Sequence, residues 1–403
     1  PNAIATSVEL VEGLVATSQN CWPSVSFDFG AINNLLNKFF PAGFYYKTFM
    51  WPKNFWYKIY EPIIRRAAGL GVAPLKPDPD RYEHKFEYCD ILVAGSGPSG
   101  LASALAAAKN GAKVILAEDK PRFGGSLLTD EVTIGNKKGK DWADETIDQL
   151  KSMPNVIVKN RSQVFGYYDH NMMVMLERTK DHIENPNEFT PRQKLWYIRA
   201  KEVIVSTGSI ERPLVFGNND RPGIMLASAA KEYMKVYGVL VGKKPIIFTN
   251  NDSGYETAIE FKKNGADPVV VDIRKNSESS VVQEAKNLNI NIKFSYGVVN
   301  TKGYKKVSSA TIGELNSHKS GYENLENVSC DCICVSGNWT PTVHLSSQSG
   351  NKLKFDEKIN AFIPSQSRQN ESAVGSAKGS FTLKKTLDDG FNKGYELSKK
   401  ING

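Results

Sequence analysis

The chain has 403 residues and a formal net charge of +8, a length that calls for two or three domains. Apolar residues make up 40% and charged residues 23%, a globular composition that can fill real cores, and no run of about 18 apolar residues offers a membrane span. Lysine and arginine are spread along the chain, so the charge describes a solvated surface and not a nucleic-acid groove, while five cysteines fit the reducing cytoplasm.

Pro1 opens the chain without a basic-then-apolar leader, and the ending "SKKING" is abrupt; together they read as the bounds of a piece of something longer. Residues 1–80 carry no repeat and no nucleotide signature. Nine of the seventeen residues from Phe44 to Tyr60 are aromatic, with Lys47, Lys53 and Lys58 between them. Such interleaving can stack bases, but a rigid aromatic surface against another domain or subunit is the preferred reading. "PLKPDPDRYEHKFEY" then reads as a proline-rich linker.

From Cys89 the pattern becomes strand ("CDILVAG"), glycine turn, alanine-rich helix ending at Gly111, and strand ("KVILAE"). Residues 155–200 hold short alternating runs that suggest an antiparallel meander, and "EVIVSTGSIERP" is a further strand ending in a Thr207–Gly208 turn. A second strand–turn–helix–strand unit spans 244–274. In "CDCIC" the alternation places the sulfurs of Cys330, Cys332 and Cys334 on one face of a core strand, without the turn that wraps a metal; no metal site is expected. A C-terminal glycine turn, "AVGSAKG", leads into a last helix. One nucleotide unit lying inside another predicts an α/β fold of two nested Rossmann-like domains with an N-terminal extension. The expected boundaries are 1–80 for the extension, 81–215 with 336–403 for the first nucleotide-binding domain, and 216–335 for the second.

Gly95, Gly97 and Gly100 form G-x-G-x-x-G between strand and helix. The first allows the tight turn, the second lets backbone approach a pyrophosphate, and the third permits close helix–strand packing. The diphosphate then meets the positive end of the helix. Glu118 ends the next strand, where a carboxylate accepts from both ribose hydroxyls and repels a 2′-phosphate; Lys120 and Arg122 soften that argument. "FGGS" adds Gly124, Gly125 and Ser126 as a second backbone approach, and Gly208 a third. In the second unit Gly254, Ala258 and Asp272 repeat the spacing of Gly100, Ala104 and Glu118, but Thr249 and Asn251 replace the first two glycines. Side chains there keep a pyrophosphate off the backbone, so the second unit reads as one that has lost its nucleotide. No C-x-x-C pair stands beside "FGGSLL", as a self-sufficient flavin disulfide reductase would need. No general base or nucleophile stands out; His344 reads as a structural histidine, and no catalytic residue is expected.

The layout resembles the two-dinucleotide-binding flavoproteins, and the chain as a whole resembles the alpha subunit of heterotetrameric sarcosine oxidase. "QNCWPSVSFDFGAINNLL", "AGFYYKTFMWP", "EPIIRRAAGLG", "STGSIERPLVFGNNDRPGIM", "FTNNDSGYETA" and "VSGNWTPTVHLSSQSGNKL" carry the likeness. Flavin proteins of this layout place Gly-Asp at the C-terminal turn, whereas this chain has Gly375–Ser376. The resemblance implies an oxidoreductase complex that demethylates sarcosine to glycine, yielding hydrogen peroxide and formaldehyde or 5,10-methylenetetrahydrofolate. It implies NAD held in the first unit, FAD and FMN on the beta subunit or its interface, and gamma and delta subunits as further partners. NAD contacts are expected at Ser99, Glu118, Asp119, Lys120, Ser126, Val164, Gly375 and Thr382. "PNAIATSVELVEGL" resembles the end of a ferredoxin-like domain, and nothing matches the family's folate-binding domain. The alternative reading is the alpha chain of a related amine, opine or proline dehydrogenase, or a free-standing FAD-dependent oxidoreductase.

Overall fold

The computed structural model describes residues 8–403 except 10, 37, 38, 40–42, 44–48, 72, 74 and 319. Its contacts divide the chain into two units, one of Pro1–Tyr82 with Thr179–Arg192 and one of Glu83–Arg178 with Gln193–Gly403.

In the first unit short helical turns at Ile32–Leu36, Trp56–Tyr60 and Glu61–Ala67 follow one another. Among the described residues 8–82 only Gly69 is buried. Trp22 and Phe29 pack with ring centres 5.3 Å apart, and Phe27 lies edge-on to Phe29. Trp51 is 82% exposed and Tyr57 83%. Part of the aromatic stretch, 44–48, lies outside the described residues. Asp80 is held by Lys180 at 2.8 Å and by Arg192 at 3.1 Å.

The second unit is built on two α/β sheets, the first mixed and the second all parallel. In the first, β1 (Tyr82–Ala94), α1 (Pro98–Lys109) and β2 (Val114–Ala117) are followed by α2 (Gly139–Ser152) and β3 (Val156–Lys159). Next come the antiparallel β4 (Ser162–Tyr168), β5 (Met172–Arg178) and β6 (Gln193–Val205). The order across the sheet is β3-β2-β1-β6-β5-β4. The two faces of β1 divide by residue parity, as pleating requires: Ile91 and Val93 enter the core under α1 and α2, Leu92 and Ala94 the core with Met173 and Met175.

In the second sheet β7 (Ile224–Leu226), α3 (Ala227–Tyr237), β8 (Pro245–Thr249), α4 (Ser253–Lys263), β9 (Val269–Asp272), α5 (Ser280–Asn287) and β10 (Asn291–Phe294) lead to an antiparallel meander. The meander is β11 (Tyr296–Lys302), β12 (Ser309–Leu315) and β13 (Tyr322–Ser329), and β14 (Cys332–Ser336) then enters the sheet. The sheet runs β7-β14-β8-β9-β10, all parallel. The chain finally returns to the first sheet, where β15 (Glu371–Ala373) pairs with the end of β6, and closes with α6 (Leu383–Asn402). The fold is the doubly wound arrangement expected from the two glycine turns.

Three local expectations are corrected. β1 starts at Tyr82, inside the expected linker, because alternate residues His84 and Phe86 stack on Tyr197 of β6 at 5.8 and 5.1 Å. "LWYIRA" and "EVIVS" form the single strand β6. Cys332 and Cys334 share one core, their sulfurs 3.6 Å apart, but Cys330 packs in the opposite core with Ile333 and Val335. The alternation breaks there because the chain turns through Cys330–Asp331 between β13 and β14.

Helix α6 is seated on α1 with no side chain between the backbones. A Cβ on Gly390 or Gly394 would collide with the carbonyls of Ser99 or Ser103, and the Ser103 hydroxyl lies within reach of the carbonyls of Ser99 (2.7 Å) and Gly390 (3.0 Å). Gly394→Val is therefore expected to cost about 3 kcal/mol of stability, at the high end of overpacking because a main chain is the obstacle. A urea midpoint unchanged from the parent would show that α6 is not so seated.

A dinucleotide cradle at the tip of the first sheet

Three backbone segments cross where β1 ends. The Gly95 N–H donates to Ala117 and the Ser206 N–H to Ala94, at 2.8 and 2.9 Å. Gly95 has φ +102°, a conformation that favours glycine, and a Cβ there would strike the Ser206 carbonyl. A Cβ on Gly100 would strike the carbonyl of Gly95. Gly97 differs: its backbone is extended (φ −66°, ψ −177°), and a Cβ there would meet no atom of the protein within 4 Å. Two of the three glycines are thus demanded by the fold, and the third opens onto free space in front of α1. Pro98 begins α1 with a fixed φ and no N–H to leave unsatisfied, and the remaining N-terminal amides are the positive end of that helix.

The second glycine pair folds onto this turn. The Gly124 N–H donates to the Ser96 carbonyl at 3.1 Å, Gly124 and Gly125 have φ +120° and +55°, and a Cβ on Gly125 would lie 2.8 Å from the Gly97 Cα. Ser126 is exposed beside it. Glu118 is buried at 7% exposure. One of its oxygens accepts from the Ser96 N–H (2.9 Å) and hydroxyl (2.6 Å), and the other from the Lys120 N–H (3.0 Å). Burial, with Asp119 next to it, pushes this carboxyl up to about 7 against the pull of those donors. The Glu118 side chain is therefore tied to the middle of the glycine turn, a link through Ser96 that spacing alone does not reveal.

On the other side of the turn Ser99 is buried, its hydroxyl 2.7 Å from that of Ser206. Its N–H lies in the first turn of α1, where helix amides have no intrahelical partner. Gly375 (φ +64°) has Ser99 Oγ 2.5 Å from where its Cβ would be. Gly208 (φ +74°) faces Ser376. Thr382 is the residue before α6, its carbonyl accepting from Thr386, whose methyl touches Gly375. Val164 is set apart, packed against the core on the Leu92 side of the sheet. Asp119 turns its carbonyl to Arg178, and the Lys120 ammonium is paired with Glu232. The structure thus joins the glycines, Ser99, Glu118 and the C-terminal turn in one cluster. The turn at Gly375–Ser376 carries no carboxylate. His344 is exposed at the start of a short helix. Among the described residues no group of three or more His, Cys, Asp or Glu could hold a metal, and no helix is long and apolar enough to cross a membrane.

The equivalent turn of the second sheet is filled by its own side chains. Thr249 Oγ1 bonds both ends of Asn251, and a Cβ on Gly254 would lie 2.7 Å from Thr249. Asn251 Nδ2 donates to Ser336 at 3.0 Å, and its carbonyl receives the Ser253 N–H at 2.9 Å. Asp272, fully buried where the first sheet has Glu118, is taken by the Tyr255 hydroxyl (2.7 Å) and the Arg274 guanidinium (2.8 Å). Both the turn backbone and the carboxylate are engaged by the protein's own side chains.

Residues 90–163 match the FAD dependent oxidoreductase family. The sarcosine oxidase subunit alpha of Rhizobium meliloti is 44% identical over 97% of this chain and 38% of its own length. That of Corynebacterium sp. strain P-1 is 34% identical over 80% of this chain and 34% of its own length, so the chain spans little more than a third of these relatives. A thioredoxin reductase from T. acidophilum superposes with a TM-score of 0.61 at 18% identity, covering 78% of this chain and 99% of that one; it shows the shared two-dinucleotide-binding flavoprotein fold. At this identity, sustained along nearly its whole length, the chain belongs to the sarcosine oxidase alpha-subunit family.

Proposed function

We propose that this chain holds NAD within a sarcosine oxidase complex and leaves the oxidation of the amine to a partner subunit. In this reading residues 81–215 and 336–403 form the NAD-binding domain and 216–335 a nucleotide-free one. The observation that carries it is the contrast between the two turns: Gly97 opens onto free space beside a ribose carboxylate, whereas Asn251 and Arg274 fill the equivalent space in the second sheet. A flavin reductase of this fold needs both sites, one to hold flavin and one to bring its reductant. The four core cysteines, Cys89, Cys330, Cys332 and Cys334, are buried and free, and burial pushes the thiols of Cys89 and Cys330 up to about 12, far from a reactive thiolate. No residue here is assigned a catalytic role.

In such a complex the N-methyl group of sarcosine would lose two electrons and two protons, with flavin on the beta subunit supplying the electron acceptor and oxygen taking them up as hydrogen peroxide. Water would then release the methyl carbon as formaldehyde, or tetrahydrofolate would take it as 5,10-methylenetetrahydrofolate, leaving glycine. This chain's contribution is positional. The α1 N-terminus and the 95–100 turn bind the diphosphate, Glu118 accepts from the ribose, and Gly208, Gly375 and Thr382 line the remaining edge. The exposed rings of the first unit, Trp51 and Tyr57 among them, suit a contact with the beta, gamma or delta subunit. The match to FAD dependent oxidoreductases over 90–163 favours a second reading, FAD in the same cradle; the missing carboxylate at Gly375–Ser376 speaks against it.

Heat release and mass identification of the cofactor from the complex, followed by separation of this subunit, is expected to yield one NAD per chain and no flavin from it. FAD recovered with this subunit would replace the proposal with the second reading. Gly97→Val is expected to lower NAD affinity at least a hundredfold while the thermal midpoint stays within about 2 °C, since its side chain meets only the ligand's space. Gly100→Ala should instead impair folding itself. Equal damage from both would mean that position 97 does not face the ligand.

Glu118 makes binding pH-dependent. Its native pKa of about 7 lies above the unfolded value near 4.3, so the native state holds the extra proton. The stability this proton confers is complete below the unfolded value and is lost as pH rises through about 7. Ribose hydroxyls favour the ionised carboxylate, so binding should release a proton and be about tenfold weaker at pH 6 than at pH 8. Glu118→Gln should flatten that profile, and a pH-independent affinity in the parent would remove Glu118 from the site.

A further inference from the structure

We propose that Glu232, on helix α3 of the second sheet's domain, sets the cradle's selectivity against a 2′-phosphorylated dinucleotide by holding the Lys120 ammonium away from that phosphate. This rests on the reading that the cradle binds NAD. Glu118 alone gives an incomplete exclusion, because Lys120 follows it by two residues and its N–H is already bonded to the same carboxylate at 3.0 Å. A free ammonium there would attract a 2′-phosphate, as basic residues do at this position in NADP sites. In the structure both Glu232 oxygens hold that ammonium, at 3.0 and 3.1 Å. Arg122, two residues further, turns to the Val236 carbonyl in the last turn of the same helix at 3.4 Å, where the helix dipole favours a cation. Arg178 is engaged with the Asp119 carbonyl.

Helix α3 is itself fixed in place, which makes the pairing more than a chance surface contact. Lys231, 8% exposed, bonds Asp130 at 2.8 Å and Glu256 at 2.6 Å. Lys235 bonds Glu131 and Glu260, both at 2.7 Å. Glu232 therefore lies between two lysines that tie α3 to residues 130–131, just beyond the second glycine pair. A domain whose own nucleotide turn is filled thus acts on the neighbouring site through a charge. The Lys120–Glu232 pair is partly exposed (54% and 36%), so screening limits the effect to a few-fold.

The test uses the assembled complex freed of its dinucleotide and titrated calorimetrically with NAD+ and with NADP+. Glu232→Gln is expected to tighten NADP+ binding about three- to fivefold while NAD+ changes less than about twofold, with the gain shrinking at high salt. Adding Lys120→Met to that variant should remove the gain. Unchanged NADP+ affinity alongside intact NAD+ binding would overturn the proposal alone, as would a gain that survives loss of the lysine. Failure of the parent complex to bind NAD+ would overturn the cradle reading and this proposal with it. Should the amide variant misfold, Glu232→Ala replaces it with the same expectations.

Discussion

The second unit is organised by one crowded point, the crossing of the β1 tip with Ser206 and the first turn of α1. Gly95 and Gly100 lack side chains because a carbonyl occupies the place of each Cβ. That crowding presses the start of α1 against the sheet and points its unpaired amides at the space before Gly97. It also brings Ser96 within reach of Glu118 and Ser99 within reach of Ser206 and Gly375. The start of α1, the Glu118 carboxylate and the C-terminal turn are assembled by the same contact. Helix α6 extends the principle, since its glycines meet the serines of α1 with only backbone between.

The second sheet shows what happens when the same topology carries side chains at its turn. Thr249, Asn251 and Ser336 satisfy one another's hydrogen bonds, so the turn is closed without leaving a buried polar group unpaired. Asp272 stands where the first sheet has Glu118 but is paired with Arg274. Buried charge pairs of this kind are costly to break, since either partner left alone would be an uncompensated ion. The domain has thereby become a fixed wall, fastened to the first by Lys231 and Lys235.

The first unit stands in contrast. With Gly69 the only buried position among its described residues 8–82, it has rings that meet at tilted or edge-on angles but little core of their own. Large apolar rings left in water are the surface that the subunit contact proposed above would cover.

Much of this was legible in the residues. Glycine spacing, the carboxylate eighteen residues after the third glycine, and the substituted second turn were enough to anticipate a fold of two Rossmann-like sheets and the different turns that open them. These are local signals, since strand, turn and helix each lie within a few residues of one another. The sequence also holds the pairs Gly390–Gly394 and Ser99–Ser103, but only their meeting across the fold reveals that they form a helix contact. What tertiary structure alone decided was which polar groups are already spent. Ser96 holds Glu118, Arg274 holds Asp272 and Glu232 holds Lys120, the last pair 112 residues apart. A hydrogen bond or ion pair depends on separation in space, and chain position constrains that only over the length of one turn.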